Sequence, residues 1–531
     1  MPESPSPPWL RGLLEPAAYP HATGPIELRE THISWVLLAG DFAYKIKKPV
    51  NLGFLDFSTL ELRRWFCTEE LRLNRRYAGN LYRAVVPITG SPEHPRVSGT
   101  GSAFEYAVAM RRFDDAQLFD RLLDAHRLLP EHLERLAETV AAFHASTERA
   151  TAADHHGLPE RQQQAAEINF TTIHPRLDDP FDRTRLDALW AWTRAEFARR
   201  APLLEQRKQQ GLVRECHGDL HLGNIVLLDG QPTPFDGIEF NEDFRWIDTM
   251  SELAFLAMDL EARGEVALAY RFLNRYLELS GDYPGMALLD YFRLYRAMVR
   301  AKIAQLCRDQ AGTAEGKAHW LRRYRGYVEF GLRLIKGKRP FLLITHGVSG
   351  SGKSHLTARL ADCLSAIRLR SDLERKRLAG LAAEAQSGSG LGDGLYSAAM
   401  TERTYQYLAA TAEALLAAGH SVIIDATHLK HQQRLQQRRV AERCDAAFLI
   451  LDCQAPRELL RARVRSRAAA GTDPSEADLA VLEQQLAQRE VPTEDERPFV
   501  VTVDTSQPQA MEGLPERVRK FLESIPGMAA P

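Results

Sequence analysis

Two short extended runs, Ile33 to Leu38 and Phe42 to Ile46, open the patterned part of the chain, and Ala39-Gly40-Asp41 between them is turn chemistry. Apolar residues at helical spacing follow from Thr59 to Tyr77, and then come further extended runs at Tyr82 to Ile88 and Phe104 to Met110. Residues 32 to 115 therefore read as a small sheet-rich lobe. From residue 116 to about 335 the pattern is mainly helical, with apolar periodicity in Leu133 to His144, Leu186 to Phe197, Met250 to Leu260 and Tyr291 to Leu306. One extended island, Val213 to Gly237, interrupts these helices.

The segment Arg333 to Pro340, RLIKGKRP, breaks the pattern with Gly, Pro and a basic cluster, and marks a domain boundary. Beyond it strands and helices alternate, as a parallel sheet requires. The predicted strands are Phe341 to Thr345, Ile367 to Arg370, Ser421 to Asp425, Phe448 to Leu451 and Phe499 to Val503. The expected architecture is thus an α+β domain over residues 1–335 and an α/β domain over 336–531. The Gln/Ser/Gly-rich stretch from Ala385 to Gly394 reads as a flexible loop.

Composition narrows the class. At 531 residues the chain exceeds one core. A formal net charge of -2 gives no pointer to nucleic acid or to an anionic membrane surface. The opening MPESPSPPW has no basic stretch leading into an apolar one, so no signal peptide is expected. The longest apolar runs are far too short to span a bilayer. Six scattered cysteines without a CxxC pair exclude the common zinc spacings and argue for reduced thiols in a cytoplasm. Cys216 beside His217 reads as a small apolar residue ending a strand, since sequence adjacency does not aim the two side chains at each other.

Gly347-Val348-Ser349-Gly350-Ser351-Gly352-Lys353-Ser354 is a full G-x-x-x-x-G-K-S between an apolar strand and a helical run. Its glycines let backbone N–H groups close around a phosphate of ATP at the positive end of the helix. Lys353 is placed to reach the β/γ-phosphates and the Ser354 hydroxyl to bind Mg²⁺. Asp372 follows the second strand, where strand ends line the ligand crevice, and can face an acceptor hydroxyl. Asp425 ends the strand Val422 to Asp425 and is a candidate partner of the Mg²⁺ shell. Arg457, Arg461, Arg463, Arg465 and Arg467 crowd one helix before Gly471, either as a solvated face or as a lid over the transferring phosphoryl group. Residues 341 to 505 resemble the small P-loop kinases grouped with gluconate kinases, polynucleotide 5′-kinases and zeta toxins. The resemblance implies that Asp372 contacts or deprotonates the acceptor and that Arg375 binds its acidic group.

His217-Gly-Asp219-Leu-His-Leu-Gly-Asn224 matches H-x-D-x-x-x-x-N and is followed by Pro234-Phe-Asp236-Gly237. One tight loop must present a carboxylate to the acceptor hydroxyl and, five residues on, an amide oxygen to Mg²⁺; a hairpin then returns a second carboxylate to the same metal. Residues 30 to 310 resemble aminoglycoside phosphotransferases and related small-molecule kinases of the two-lobed protein-kinase-like fold. That resemblance implies Asp219 as catalytic base, Asn224 and Asp236 as metal ligands, and an adenine-binding hinge at Met110 to Phe113. It also implies Lys45, in Ala43-Tyr-Lys45, as the lysine on the α/β-phosphates. Lys47 on the same strand face is the alternative, with Glu69 or Glu70 as helix partner. Gly40 is the sole glycine in the runs leading to Lys45, and no G-x-G-x-x-G precedes it. Asp248, Glu252, Asp259 and Glu261 read as solvated helix faces or as a site for a cationic acceptor, and His144 as structural. The two domains in this order resemble the bacterial bifunctional aminoglycoside phosphotransferase/ATP-binding proteins.

The expected function is a bifunctional ATP-dependent phosphotransferase with two Mg·ATP sites and small-molecule or nucleotide acceptors. Two other readings are a regulatory protein in which one domain senses nucleotide, and a nucleic-acid end kinase or toxin-like kinase. The arginine-rich tract from Arg434 to Arg467 fits the last, while the neutral overall charge and the lack of interleaved aromatics do not.

Overall fold

The computed structural model describes residues 7–53, 55–382, 385, 394–470, 477–507 and 509–525. The stretch read as a flexible loop, 385–394, lies almost wholly outside them, as does Gly471. By packing, the chain forms two compact units: Met1–Asn169 with Arg194–Asp259, and Phe170–Thr193 with Leu260–Pro531.

The first unit is built on a six-stranded antiparallel sheet, β1 Glu27–Glu30, β2 Ser34–Ala39, β3 Phe42–Lys47, β4 Tyr82–Gly90, β5 Pro95–Val97 and β6 Glu105–Arg111, in the order β1-β2-β3-β6-β4-β5. The period of two sorts its side chains cleanly. Tyr44, Ile46, Ala107 and Ala109 join Trp35 and Leu37 in the core on one face. Lys45 and Lys47 of β3 point to the other, where Val108 of β6 packs with Cys67 of helix α1, Leu60–Ala78. Thr59 caps that helix by accepting the Leu62 N–H at 3.2 Å.

The extended island resolves into three short strands, β7 Val213–Glu215, β8 Ile225–Leu228 and β9 Gln231–Pro234. Asp229 and Gly230, both at positive φ, turn β8 into β9, as a two-residue hairpin requires. Strand β10, Trp246–Asp248, pairs antiparallel with β7. Helix α2, Thr249–Ala262, leaves β10 and carries residues of both units.

The second unit holds a five-stranded parallel sheet: β11 Phe341–His346, β12 Ala366–Arg370, β13 Ser421–Asp425, β14 Ala447–Gln454 and β15 Val500–Asp504, ordered β12-β13-β11-β14-β15. The predicted strands all appear, each within a few residues of its expected ends. Central β11 is buried at every position, which is why it reads as a continuous apolar run. The edge strand β12 is closed by helix α3, Val266–Ser280: Asn274 donates to the Ala366 carbonyl at 3.0 Å and accepts the Arg368 N–H at 2.7 Å. All six cysteines are free. Among the described residues no helix is long and apolar enough to cross a membrane.

Of the acidic residues expected on solvated faces, Asp248, Glu252 and Asp259 are buried and Glu261 is partly buried. Asp248 takes two hydrogen bonds from Arg207, at 2.7 and 2.8 Å, and Glu261 pairs with Arg293 at 2.7 Å. A carboxylate removed from water must be paired or hydrogen-bonded, and each of these is.

Candidate active sites

In the first unit five charged side chains meet: two from β3, one from α1 and two from the loop after β9. Lys45 donates to Glu70 Oε1 at 2.8 Å and to Asp236, while Lys47 donates to Glu70 Oε2 at 2.7 Å and to Glu239. Glu69 pairs with Arg72 at 2.9 Å. The lysine strand is third of six, and Lys47 is fully buried. Burial pushes the Glu70 carboxyl up, but the two ammonium groups outweigh it and leave it at about 2. Burial likewise pushes Lys45 down, and the Asp236 and Glu70 carboxylates overcome this and hold it well above the usual lysine range.

The loop bearing Asp219 is fastened from below. Glu252 accepts the backbone N–H of His217 at 2.9 Å and of Gly218 at 2.7 Å, and Asp259 accepts that of Leu222 at 3.1 Å. Both carboxylates are about 1 % exposed, so they are unavailable to a cationic acceptor. Gly218 sits at φ +85, with the Phe244 carbonyl 2.5 Å from where a Cβ would lie. No side chain fits there. His144 is buried against Glu252 at 3.4 Å, a structural place. Asn224 Nδ2 donates to Asp219 Oδ2 at 2.9 Å, which leaves the Asn224 amide oxygen for another partner.

Asp236 adopts φ +62, uncommon for a residue with a side chain. The Tyr82 hydroxyl accepts its N–H at 3.0 Å, and Asn74 Oδ1 accepts that of Gly237 at 2.8 Å. Past the end of β6, Phe113 packs edge-on against Phe235 at 5.2 Å, and Met110 joins the same apolar cluster. Gly40 lies at this end of the sheet, where Arg112 N–H donates to the Asp41 carbonyl at 2.8 Å. The turn at the lysine end is Thr31 to Ile33, which contains no glycine and is tied by the Ser34 N–H to Thr31 Oγ1 at 2.9 Å.

In the second unit Gly347 to Gly352 join β11 to helix α4, Lys353–Cys363. A Cβ on Gly347 would stand 2.7 Å from the Cys453 carbonyl, and one on Gly350 2.9 Å from that of Leu460. These glycines keep the loop tight enough for its amides to converge. Lys353 Nζ, buried and pushed down by that burial, donates to the Val348 carbonyl at 2.8 Å. Ser351 Oγ is buried with no hydrogen-bond partner, and the Ser349 N–H is taken by Gln485 Oε1 at 2.7 Å. Such donors fit a phosphate group.

Lys353, Ser354, Asp372, Arg375, Asp425 and Arg467 share one cavity of about 760 Å³. Asp425 accepts from Thr357 Oγ1 at 3.1 Å. Asp372 stands in the first turn of helix α5, Ser371–Leu378. Arg375, one turn on, donates to the Leu395 carbonyl at 2.8 Å and to Thr401 at 3.1 Å. The arginines of helix α6, Arg457–Ala470, divide by role. Arg457 and Arg461 pair with Glu483; Arg463 donates to the Gly350 carbonyl at 3.2 Å and to Thr505 Oγ1 at 3.0 Å; Arg467 donates to the Ala477 carbonyl at 2.9 Å.

Glu239, Asn74, Tyr82, Gln485 and Thr505 are not among the site residues expected from the sequence. Arg463 is among the arginines expected from the sequence, through its arginine-rich helix.

Residues 67–289 match the phosphotransferase enzyme family and residues 342–492 match the AAA domain family. An uncharacterized protein of Mycobacterium tuberculosis strain H37Rv is 31% identical over 475 residues, covering 87% of this chain and 90% of that protein. Among solved structures, a sugar kinase from Janibacter sp. HTCC2649 is 24% identical over 36% of this chain and 99% of its own, with a TM-score of 0.28. A choline/ethanolamine kinase family protein from Mesorhizobium loti is 13% identical over 60% of this chain and 90% of its own, with a TM-score of 0.37.

Proposed function

The chain belongs to the same family as this mycobacterial protein and is a kinase, and from that premise we propose a bifunctional phosphotransferase with one Mg·ATP site in each unit. The observation that carries the reading is Lys45 joined to both Glu70 and Asp236 in one unit, while the other gathers Lys353, Ser354, Asp372 and Asp425 around one cavity. By motif content we put the division between the two functions at residue 335, which lies inside the second packing unit, and the matched segments 67–289 and 342–492 on either side of it support this.

In the first site Lys45 binds the α/β-phosphates, Met110 and Phe113 bound the adenine, and Asn224 and Asp236 hold the metal. Asp219, oriented by Asn224 Nδ2, takes the proton of the acceptor hydroxyl. In the second site residues 347–354 wrap the phosphates, Ser354 and Asp425 hold the metal, Asp372 meets the acceptor hydroxyl, and Arg375 shapes the acceptor end. Magnesium ion supplied with the nucleotide neutralises charge on the phosphate oxygens. The acceptors are small molecules or nucleotides, since a cavity of about 760 Å³ is the size of a small-ligand site. The free thiols suit a cytoplasmic setting.

Titration calorimetry on the full chain tests the count. Two equivalents of Mg·ATP are expected for the parent, one each for Asp236→Ala and Lys353→Ala, and none for the double variant. One equivalent in the parent would rule out two sites. A screen for ATP-dependent mass gain across a metabolite library then finds the acceptors. The alternative of a nucleotide switch in the second unit is favoured by one observation, the Gln485 side chain on a phosphate-loop amide.

A further inference from the structure

Strand β3 sets two ammonium groups on one face, two residues apart, and gives them unequal surroundings. Glu70 takes Lys45 on one oxygen and Lys47 on the other, and the same two lysines reach Asp236 and Glu239, three residues apart on the metal loop. The two rungs differ in access. The side chains of Lys45 and Asp236 are 12% and 43% exposed, those of Lys47 and Glu239 only 1% and 4%. Lys47 Nζ also lies 4.9 Å from the centroid of the Phe57 ring.

A lysine so enclosed cannot touch a nucleotide, and as a source of stability it is inefficient. Desolvating two charges costs several kcal/mol per ion, and apolar residues of similar volume often serve a core as well or better. The arrangement does supply fixed geometry. A phosphate and a metal ion compete for Lys45 and Asp236, so the outer rung is exchangeable. The inner rung is not. Asp236 itself stands at φ +62; its N–H goes to Tyr82, that of Gly237 to Asn74 and that of Ile238 to the His217 carbonyl, and after Asp236 the next side chain to reach β3 is Glu239.

We propose that Lys47 and Glu239 are positioning residues of the first site: they fasten the metal loop to β3 independently of nucleotide and so present Asp236 to the metal ion. This rests on the reading of the first unit as a Mg·ATP site.

The test uses the full chain carrying Lys353→Ala, so that the first site alone reports. Lys47→Met with Glu239→Met replaces the buried pair by apolar chains and strands neither charge of that pair. The readouts are the melting temperature, the affinity for a fluorescent ATP analogue in EDTA, and the Mg²⁺ concentration giving half-maximal binding of that analogue. We expect a folded protein with metal-free affinity unchanged and a half-maximal Mg²⁺ concentration raised about ten- to a hundredfold, the usual effect of losing a group that orients a metal ligand. Glu239→Gln, which keeps shape and a hydrogen-bond acceptor, should shift it in the same direction by less. A parent-like Mg²⁺ requirement in the folded double variant, or in Glu239→Gln should the double variant not fold, overturns the proposal. Separately, Lys45→Met and Asp236→Ala in the same background must weaken binding; if neither does, it is the site assignment that fails.

Discussion

Glu252 accepts the backbone N–H of Gly218 at 2.7 Å, one residue before Asp219, so a buried carboxylate sets the course of the loop that bears Asp219. The anchor is pH-sensitive. Burial pushes the Glu252 carboxyl up, but the hydrogen bond and charge of His144 and the His217 amide outweigh it, bringing it from the ordinary 4.5 to about 2. A carboxylate depressed on folding contributes stability that is fully present above its unfolded value and is lost as pH falls through its folded one. The melting temperature of the parent should therefore drop between pH 4.5 and about 2, in part through this group. Glu252→Gln should melt lower at pH 7, by about 1.5–3 kcal/mol for hydrogen bonds to a charged group, and show a shallower acid dependence. An unchanged acid slope would remove Glu252 from the account.

Asp219 and Asp236 should fail in different ways. With Lys353→Ala in the background, Asp219→Asn should keep Mg·ATP affinity and lose about 10²- to 10⁴-fold in turnover, because a base acts on the acceptor. Asp236→Ala should weaken Mg·ATP binding itself. Equal losses of binding in both variants would contradict the division of roles.

Asp372 separates a kinase from a switch in the second unit. Asp372→Asn should lower phosphotransfer by about 10²- to 10⁴-fold with ATP still bound, whereas Lys353→Ala should weaken both. ATP affinity and ATP consumption with candidate acceptors are the measurements. If Asp372→Asn matches the parent in both while Lys353→Ala fails, the switch reading replaces the kinase reading there.

Gln485 holds the Ser349 N–H at 2.7 Å, a donor that a phosphate would also claim. Binding of ATP must then displace the amide, at a cost near one ordinary hydrogen bond. Gln485→Ala should tighten ATP binding at the second site by up to about tenfold, since roughly 0.5–1.5 kcal/mol is at stake. Weaker binding in that variant would mean that Gln485 assists the nucleotide.

What could be seen in the sequence was what local spacing encodes. The phosphate loop, the Asp219 to Asn224 spacing and the strands of both sheets depend on neighbours a few residues away, and they stand where the pattern puts them. Short β1, β5 and β10 escaped notice because three or four residues carry too little periodicity. The buried carboxylates escaped for a different reason. Nothing near Glu252 in sequence reveals the His217 and Gly218 amides, some 35 residues away, and Glu239 meets Lys47 across 192 residues. Acidic residues on a helix look alike in sequence whether water or a backbone amide satisfies them. Lys45 and Lys47 likewise shared a strand face in sequence, and burial alone distinguishes them.

The Asn274 amide on β12 has a consequence for how such a chain can be divided or recombined. Its helix, Val266–Ser280, falls within the segment matched to the phosphotransferase family, while the strand it closes falls within the segment matched to the AAA domain family. A fragment starting after residue 335 keeps every phosphate-loop residue yet leaves the Ala366 carbonyl and the Arg368 N–H on a raw sheet edge. Exposed edges recruit other strands and aggregate. The halves are therefore not interchangeable cassettes: transplanting the nucleotide-binding half into another protein requires carrying the preceding helix with it.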